Sequence, residues 1–404
     1  MALSDQRLRW SAAGLSVVAA WILWGGTATA QSAQPIADEE RVVAIDAEAI
    51  YTQAAGSPVS GTVLIRGGKI VAIGEQLEVP AGAQRIRVHS LLPGLIDASS
   101  SAGISGGAAE QTSEVTPEIN IAQTLDWRSR DFLEAVDEGV TTLHILPGTA
   151  NVFAGGSCIV KSAGAVRDRV LSERFGSVVA VCADPTAGNS SRSRPDSIYV
   201  RQPTNRMGVV WIIRARLQQA QNVGDSAEAD PRTDALRRLI AREEPMWAVS
   251  RMGHDIQSVL TLQREFGFQP VVVGGEEAYL VLDELAAEGV PVVFQGLTTG
   301  ATRGLEGSTL HWNTPGKLEE HGIAFCLAGG RLLEQARFAQ RFGTSADGVL
   351  AAITSRPAQL LRIDHRVGTI APGKDADLVG LDGPPLESTT QILWTMVDGR
   401  VVSP

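Results

Sequence analysis

The sequence predicts an α/β protein: a (β/α)₈ TIM barrel with a small composite β-sandwich made from both chain ends. Three observations lead there. Short β-branched runs at hairpin spacing lie near both ends of the 404-residue chain. Apolar strand-like runs alternate with helical patterns between residue 93 and about residue 362. That central stretch, roughly 270 residues, has the length of one barrel. The doubly wound alternative lacks a G-x-G-x-x-G loop.

At the amino terminus, Arg7 and Arg9 precede an apolar run from Ser11 to Trp24, and Ala28-Thr29-Ala30 supplies a small-residue cleavage site. Residues 1–30 therefore read as a secretory signal peptide, and the protein as exported, periplasmic or extracellular. The run is shorter than the roughly 20 residues a membrane span needs, so no stable anchor is expected after cleavage. Residues 31–40 form a polar linker. Removing the signal takes away one acid and two bases, which moves the formal charge from −10 to −11. An acidic chain without a basic cluster is a poor partner for nucleic acid. Cys158, Cys182 and Cys326 are widely spaced and form no C-x-x-C. They read as buried small hydrophobes, with a single disulfide left open.

The first flank, 41–92, holds the runs Val42 to Ile45, Gly61 to Ile65 and Lys69 to Ile73, the last two joined by a Gly67-Gly68 turn. The second flank, 365–404, holds Ala376 to Leu381, Ile392 to Val397 and Gly399 to Val402. Neither buries both faces of a sheet alone, so the two are expected to meet. Between them, 93–364 is expected to be the barrel. Its strand candidates are Leu91 to Ile96, Thr141 to Leu146, Cys158 to Lys161, Ser177 to Cys182, Trp247 to Arg251, Pro270 to Val273, Pro291 to Phe294 and Ile323 to Leu327. Helical patterns cover Ser129 to Glu138, Arg206 to Asn222, Asp234 to Arg242, Asp255 to Phe266, Glu276 to Glu288 and Leu332 to Phe342. Asp184 to Arg206, rich in Ser, Arg, Pro and Asn, reads as a long surface excursion.

The chemistry should begin where Leu91-Leu92-Pro93-Gly94-Leu95-Ile96-Asp97 runs out into Ala98-Ser99-Ser100-Ser101. This stretch resembles the first-strand signature of the amidohydrolase superfamily. Ile353 to Leu361 followed by Val367 to Val379 is similar to its closing signature, and Glu138 to Lys161 resembles the imidazolonepropionase-like branch. The resemblance implies a metal-dependent hydrolase barrel whose ancestral activity is hydrolysis of amide or dipeptide C–N bonds. It also implies a His-x-His pair after the first strand, two further histidines and an aspartate as metal ligands. Those places are taken here by Ser99, Ser101, Arg251, Gly274 and Ala328. A neutral hydroxyl is a poor ligand for zinc, and the other three supply none.

The expectation is thus a degenerate, metal-free pseudoenzyme without a cofactor, binding a small ligand or a partner protein. Arg251 and Arg303 point to an anionic ligand, and the family habit of dimerising points to a homo- or heterodimer with a homologue. An alternative stays open: an active amidohydrolase with a rearranged zinc or other divalent site. Its residual residues would be Lys161, which some family members carboxylate, with Asp97, His254, Arg303 and His311. No H-E-x-x-H motif supports a different catalytic site, and His144 reads as a core or outer-face residue.

Overall fold

In the computed structural model the described residues are 41–403 except 55, 111, 188, 190–201, 223–229, 296, 298–306 and 308. The signal peptide, the linker and Arg303 lie outside them. No helix among the described residues is long and apolar enough to cross a membrane.

Both chain ends enter one seven-stranded sheet, in the order Arg400–Ser403, Ile392–Val397, Leu378–Leu381, Gln84–Pro93, Val42–Ile50, Val59–Arg66 and Lys69–Gly74. The ends meet where Leu378–Leu381 pairs antiparallel with Gln84–Pro93, placing Leu378 opposite Pro93. Ile45, Ile50, Val63, Ile65, Leu91 and Met396 form the apolar core of this unit. The expected sandwich is thus a single hydrogen-bonded sheet, because the parallel pairing of Val42–Ile50 with Gln84–Pro93 continues the ladder across both flanks.

Pro93-Gly94 passes the chain from this sheet to the next. Gly94 donates its N–H to the Asp377 carbonyl at 2.8 Å. A Cβ at Gly94 would lie 2.2 Å from Thr141 Oγ1, so only glycine lets the two strands approach this closely.

The central region holds seven strands joined by parallel ladders: Leu95–Ser100 with Val140–Ile145, and Ser177–Ala180, Met246–Ser250, Pro270–Gly274, Val292–Gln295 and Phe325–Ala328 in a second series. Among the described residues no continuous ladder closes them into one barrel. They belong to a four-stranded and a six-stranded sheet, and no ladder joins Phe325–Ala328 to Leu95–Ser100 or Val140–Ile145 to Ser177–Ala180. The mixed α/β order expected from the sequence is present, and Phe325–Ala328 lies beside Leu95–Ser100, though no backbone ladder closes an eight-stranded barrel among the described residues. One reason is strand polarity: Cys158–Lys161 runs antiparallel to Val140–Ile145, and Phe153–Gly156 antiparallel to Ser177–Ala180. Cys158–Lys161 therefore joins the first series antiparallel, where the sequence pattern suggested a parallel strand.

Helices Arg130–Asp137, Arg206–Asn222, Pro231–Ile240, Gly253–Phe266, Leu282–Glu288 and Leu332–Arg341 follow the predicted segments closely. Their starts have local causes. The Ser129 hydroxyl accepts the Asp131 N–H, and Asp230 accepts those of Arg232 and Thr233 with Pro231 at the first position. The Glu276 to Glu288 segment is shorter than predicted, because a 3₁₀ turn at Ala278–Leu280 precedes Leu282–Glu288.

Candidate functional site

The parallel strands end on one side, around an open cavity of 470 Å³ whose lining includes Asp97, Ser99, Ser101, Thr149, Arg251 and Gln295. It lies where the sequence placed the chemistry. Asp97, on the first strand, is buried, and its carboxylate accepts N–H bonds from Ser99 at 3.0 Å, Gly329 at 3.0 Å and Gly330 at 3.1 Å. Burial pushes its carboxyl up to about 6, against the lowering effect of these three bonds. The acid holds its own loop, as expected, and also the end of the last strand.

Ser99 is buried and accepts a bond from Gln295 Nε2 at 2.7 Å. Ser101 is exposed on the cavity rim. Arg251 lies just after Met246–Ser250 and makes a two-pronged pair with Asp184, Nη1 to Oδ1 at 3.0 Å and Nη2 to Oδ2 at 2.9 Å. Thr149 donates to the same carboxylate at 2.5 Å. Burial opposes ionisation of Asp184, but the bonds from Arg251 and Thr149 outweigh it and hold the carboxyl below its usual range.

Gly274 ends its strand at φ 103°, and a Cβ there would sit 3.0 Å from Glu276 Oε2 and 3.2 Å from the Arg251 side chain. Its backbone is one that a histidine would strain. Ala328 is fully buried and offers no side-chain donor atom. These five positions do not fit a divalent cation: two neutral hydroxyls, a cation, a glycine and an alanine cannot replace imidazoles and a carboxylate. Among the described residues no group of three or more His, Cys, Asp or Glu side chains is placed to hold a metal ion.

The structure does not bring the remaining candidates together. Lys161 pairs with the other end of the strands: it lies opposite Thr142 while Cys158 lies opposite Ile145. It is fully buried, and its ammonium meets Asp375 at 2.8 Å, Asp377 at 3.1 Å and Asp398. The antiparallel course of its strand is the reason it points away from the mouth. Burial works against its charge, but the three aspartates outweigh that and raise its pKa. His254 is exposed and faces Asp255 at 3.3 Å. His311 is exposed and stacked on Tyr279 at 3.9 Å between ring centres. His144 is a core residue: Nδ1 lies 2.9 Å from the Ala98 carbonyl, and burial pushes its pKa down to about 4. All three cysteines are buried free thiols.

Gln295 and Asp184 escaped the sequence reading. Each had a signal: Gln295 is the polar residue directly after the apolar run Pro291 to Phe294, and Asp184 follows Ser177 to Cys182 closely. Of the two arginines expected to draw an anion, Arg303 lies outside the described residues. Arg251 is engaged with Asp184, and Asp131, Glu134 and Glu138 line the same cavity.

Comparison with known proteins fits this geometry. Residues 306–402 match the model of the Amidohydrolase family, a span that includes the closing signature but not the first-strand loop. The chain is similar to an amidohydrolase from Thermotoga maritima MSB8, with 26% identity over 89% of this chain and 99% of that one, at a TM-score of 0.80. It is less similar to a Xaa-Pro dipeptidase with bound methionine in the active site, with 16% identity over 90% and 100% of the two chains and a TM-score of 0.58. The A. niger ochratoxinase follows at 15% identity over 91% and 96%, with a TM-score of 0.54. No curated protein matches the chain.

Proposed function

We propose that this chain, which carries an amidohydrolase-family domain at residues 306–402, has lost the hydrolytic centre and serves as an exported, metal-free binding protein. One observation carries the reading. The strand ends that the resemblance assigns to metal ligands carry Ser99, Ser101, Arg251, Gly274 and Ala328, and two of them are engaged in bonds within the protein. A metal lowers the pKa of a bound water from 15.7 to roughly 7, and this donor set offers no means of holding one. Amide hydrolysis by that route therefore falls away, since a fold supplies no activity once its site is gone.

The mouth suits a small polar ligand. Ser99, Ser101, Thr149 and Gln295 supply hydroxyl and amide groups, and the acids Asp131, Glu134 and Glu138 favour a neutral or cationic molecule over an anion. Association with a second copy or a homologue belongs to the same proposal, as does cleavage after Ala30. Thermal-shift screening of residues 31–404 against matched neutral, cationic and anionic small molecules tests it. Stabilisation by a neutral or cationic ligand, lost in Gln295→Leu, is the expected result. Turnover of an amide or dipeptide that depends on added metal would contradict it.

A further inference from the structure

The helix Arg206–Asn222 is apolar on two faces. Val209, Ile212, Ile213 and Leu217 are buried and pack with Val179, Ala248 and Val259 in the core. On the other side Met207, Val210, Trp211 and Arg214 recur at i, i+3, i+4 and i+7, so they share one stripe. Met207 is 77% and Trp211 62% exposed, a large apolar surface on a helix whose core face is already covered. The stripe borders a cavity of 380 Å³ that reaches the helix Gly253–Phe266, with the buried Val181, Cys182 and Val209 as an apolar floor. This cavity shares no lining residue with the mouth.

Its charges differ from those of the mouth too. Arg206 and His254 both face the buried Asp255, Nε at 3.0 Å and Nε2 at 3.3 Å, so that carboxylate is answered within the protein. Arg214 stands at the rim and bonds Glu265 through Nε, at 2.8 and 3.1 Å. Among the described residues its two Nη groups have no hydrogen-bond partner. The lining thus sets two guanidinium groups and a histidine against one carboxylate, in a chain whose formal charge is −10.

We propose that this cavity is a second binding site, for a small aromatic monocarboxylate, with the ring against Trp211 over the apolar floor and the carboxylate on the Nη groups of Arg214. An indole face suits a ring, and a guanidinium fork suits a carboxylate. Helix residues three apart stand about 5–6 Å from each other at Cβ, a spacing that matches a ring and a carboxylate joined by a short linker. The volume is that of a small-molecule pocket. A second copy docked here about a two-fold axis would set the same positive rim against itself.

Calorimetric titration of residues 31–404 with phenylacetate tests the site. Phenylacetate should bind at least about tenfold more tightly than phenylacetamide or phenethylamine, which lack the charge-assisted bond. Arg214→Met should weaken phenylacetate by at least about tenfold and leave phenylacetamide unchanged. Trp211→Ala should weaken both by about fivefold. Both side chains lie at the surface, so the variants keep the fold. Gln295→Leu, at the mouth, should leave phenylacetate binding as it is, which separates this site from the mouth reading. No saturable binding of phenylacetate, equal affinity for phenylacetamide, or binding lost in Gln295→Leu and kept in Arg214→Met and Trp211→Ala would overturn the proposal. So would a dimer that Trp211→Ala dissociates, the stripe then being a contact between copies.

Discussion

The two ends of the central strands handle charge in opposite ways. At the base, Lys161 is buried against Asp375, Asp377 and Asp398, while Lys69 and Arg366 close on Asp375, so three cations offset three carboxylates. At the mouth, Asp97 is held by backbone N–H groups and Arg251 by Asp184, while Asp131, Glu134 and Glu138 line the cavity without a shared buried cation. The base is a structural knot between the composite sheet and the first central sheet. The mouth is an open cavity whose lining residues bond to one another. A charged residue in a family motif is therefore no guide to chemistry until the polarity of its strand is known. Lys161 is the case in point.

The comparison is sharpest when each end loses its central cation. Lys161→Met should destabilise the protein by about 3–5 kcal/mol, because the buried Asp375 and Asp377 and the half-buried Asp398 lose their common partner. Denaturant unfolding measures this directly. Should Lys161→Met prove as mild as a surface change, the knot at the base is not what holds the two sheets together.

Acid should expose a second difference. His144 sits between the ends with its pKa pushed down to about 4, so the folded state rejects a proton that the unfolded chain accepts near pH 6.5. Its contribution is complete above pH 6.5 and is lost as the pH falls toward 4, a change of about 3 kcal/mol. Asp97 and Asp377, both raised to about 6 by burial, act with the opposite sign, favouring the fold as they take up protons. Stability measured against pH for the parent and His144→Gln isolates the histidine: the variant should lack this acid-side loss, and parallel curves would refute the assignment.

Arg251→Met, at the mouth, should cost less, about 1–2 kcal/mol, since the pair with Asp184 is partly open to solvent and Thr149 still donates to the carboxylate. A cost equal to that of Lys161→Met would erase the contrast between the two ends. The smallest effect is expected from restoring imidazoles. In Ser99→His/Ser101→His, added zinc should shift the melting temperature by less than about 1 °C, because Arg251, Gly274 and Ala328 still withhold the other ligands. A large zinc-dependent stabilisation would mean the mouth is closer to a working site than its residues suggest.

Much of this was legible in the sequence. The flanking strands, their meeting and most helices followed from β-branched runs, hairpin spacing and helical periodicity, which depend on local residue order. Pro93-Gly94 marked the passage between sheets, and the structure supplies the reason in the contact with Thr141. The direction of Cys158–Lys161 was not legible, because an apolar run of four residues reads the same in either orientation. Single-sheet pairing across the flanks was equally hidden, being set by contacts distant in sequence. Gln295 and Asp184 lay beside recognised strands, but a lone polar residue at a strand end has no pattern until its partner is placed.

The most direct test of the account is the metal content of residues 31–404, purified without chelator from culture supplemented with zinc and manganese. The account predicts a stoichiometry near zero per chain, unchanged in Lys161→Met and Arg251→Met. One or two tightly held metal ions per chain would contradict it.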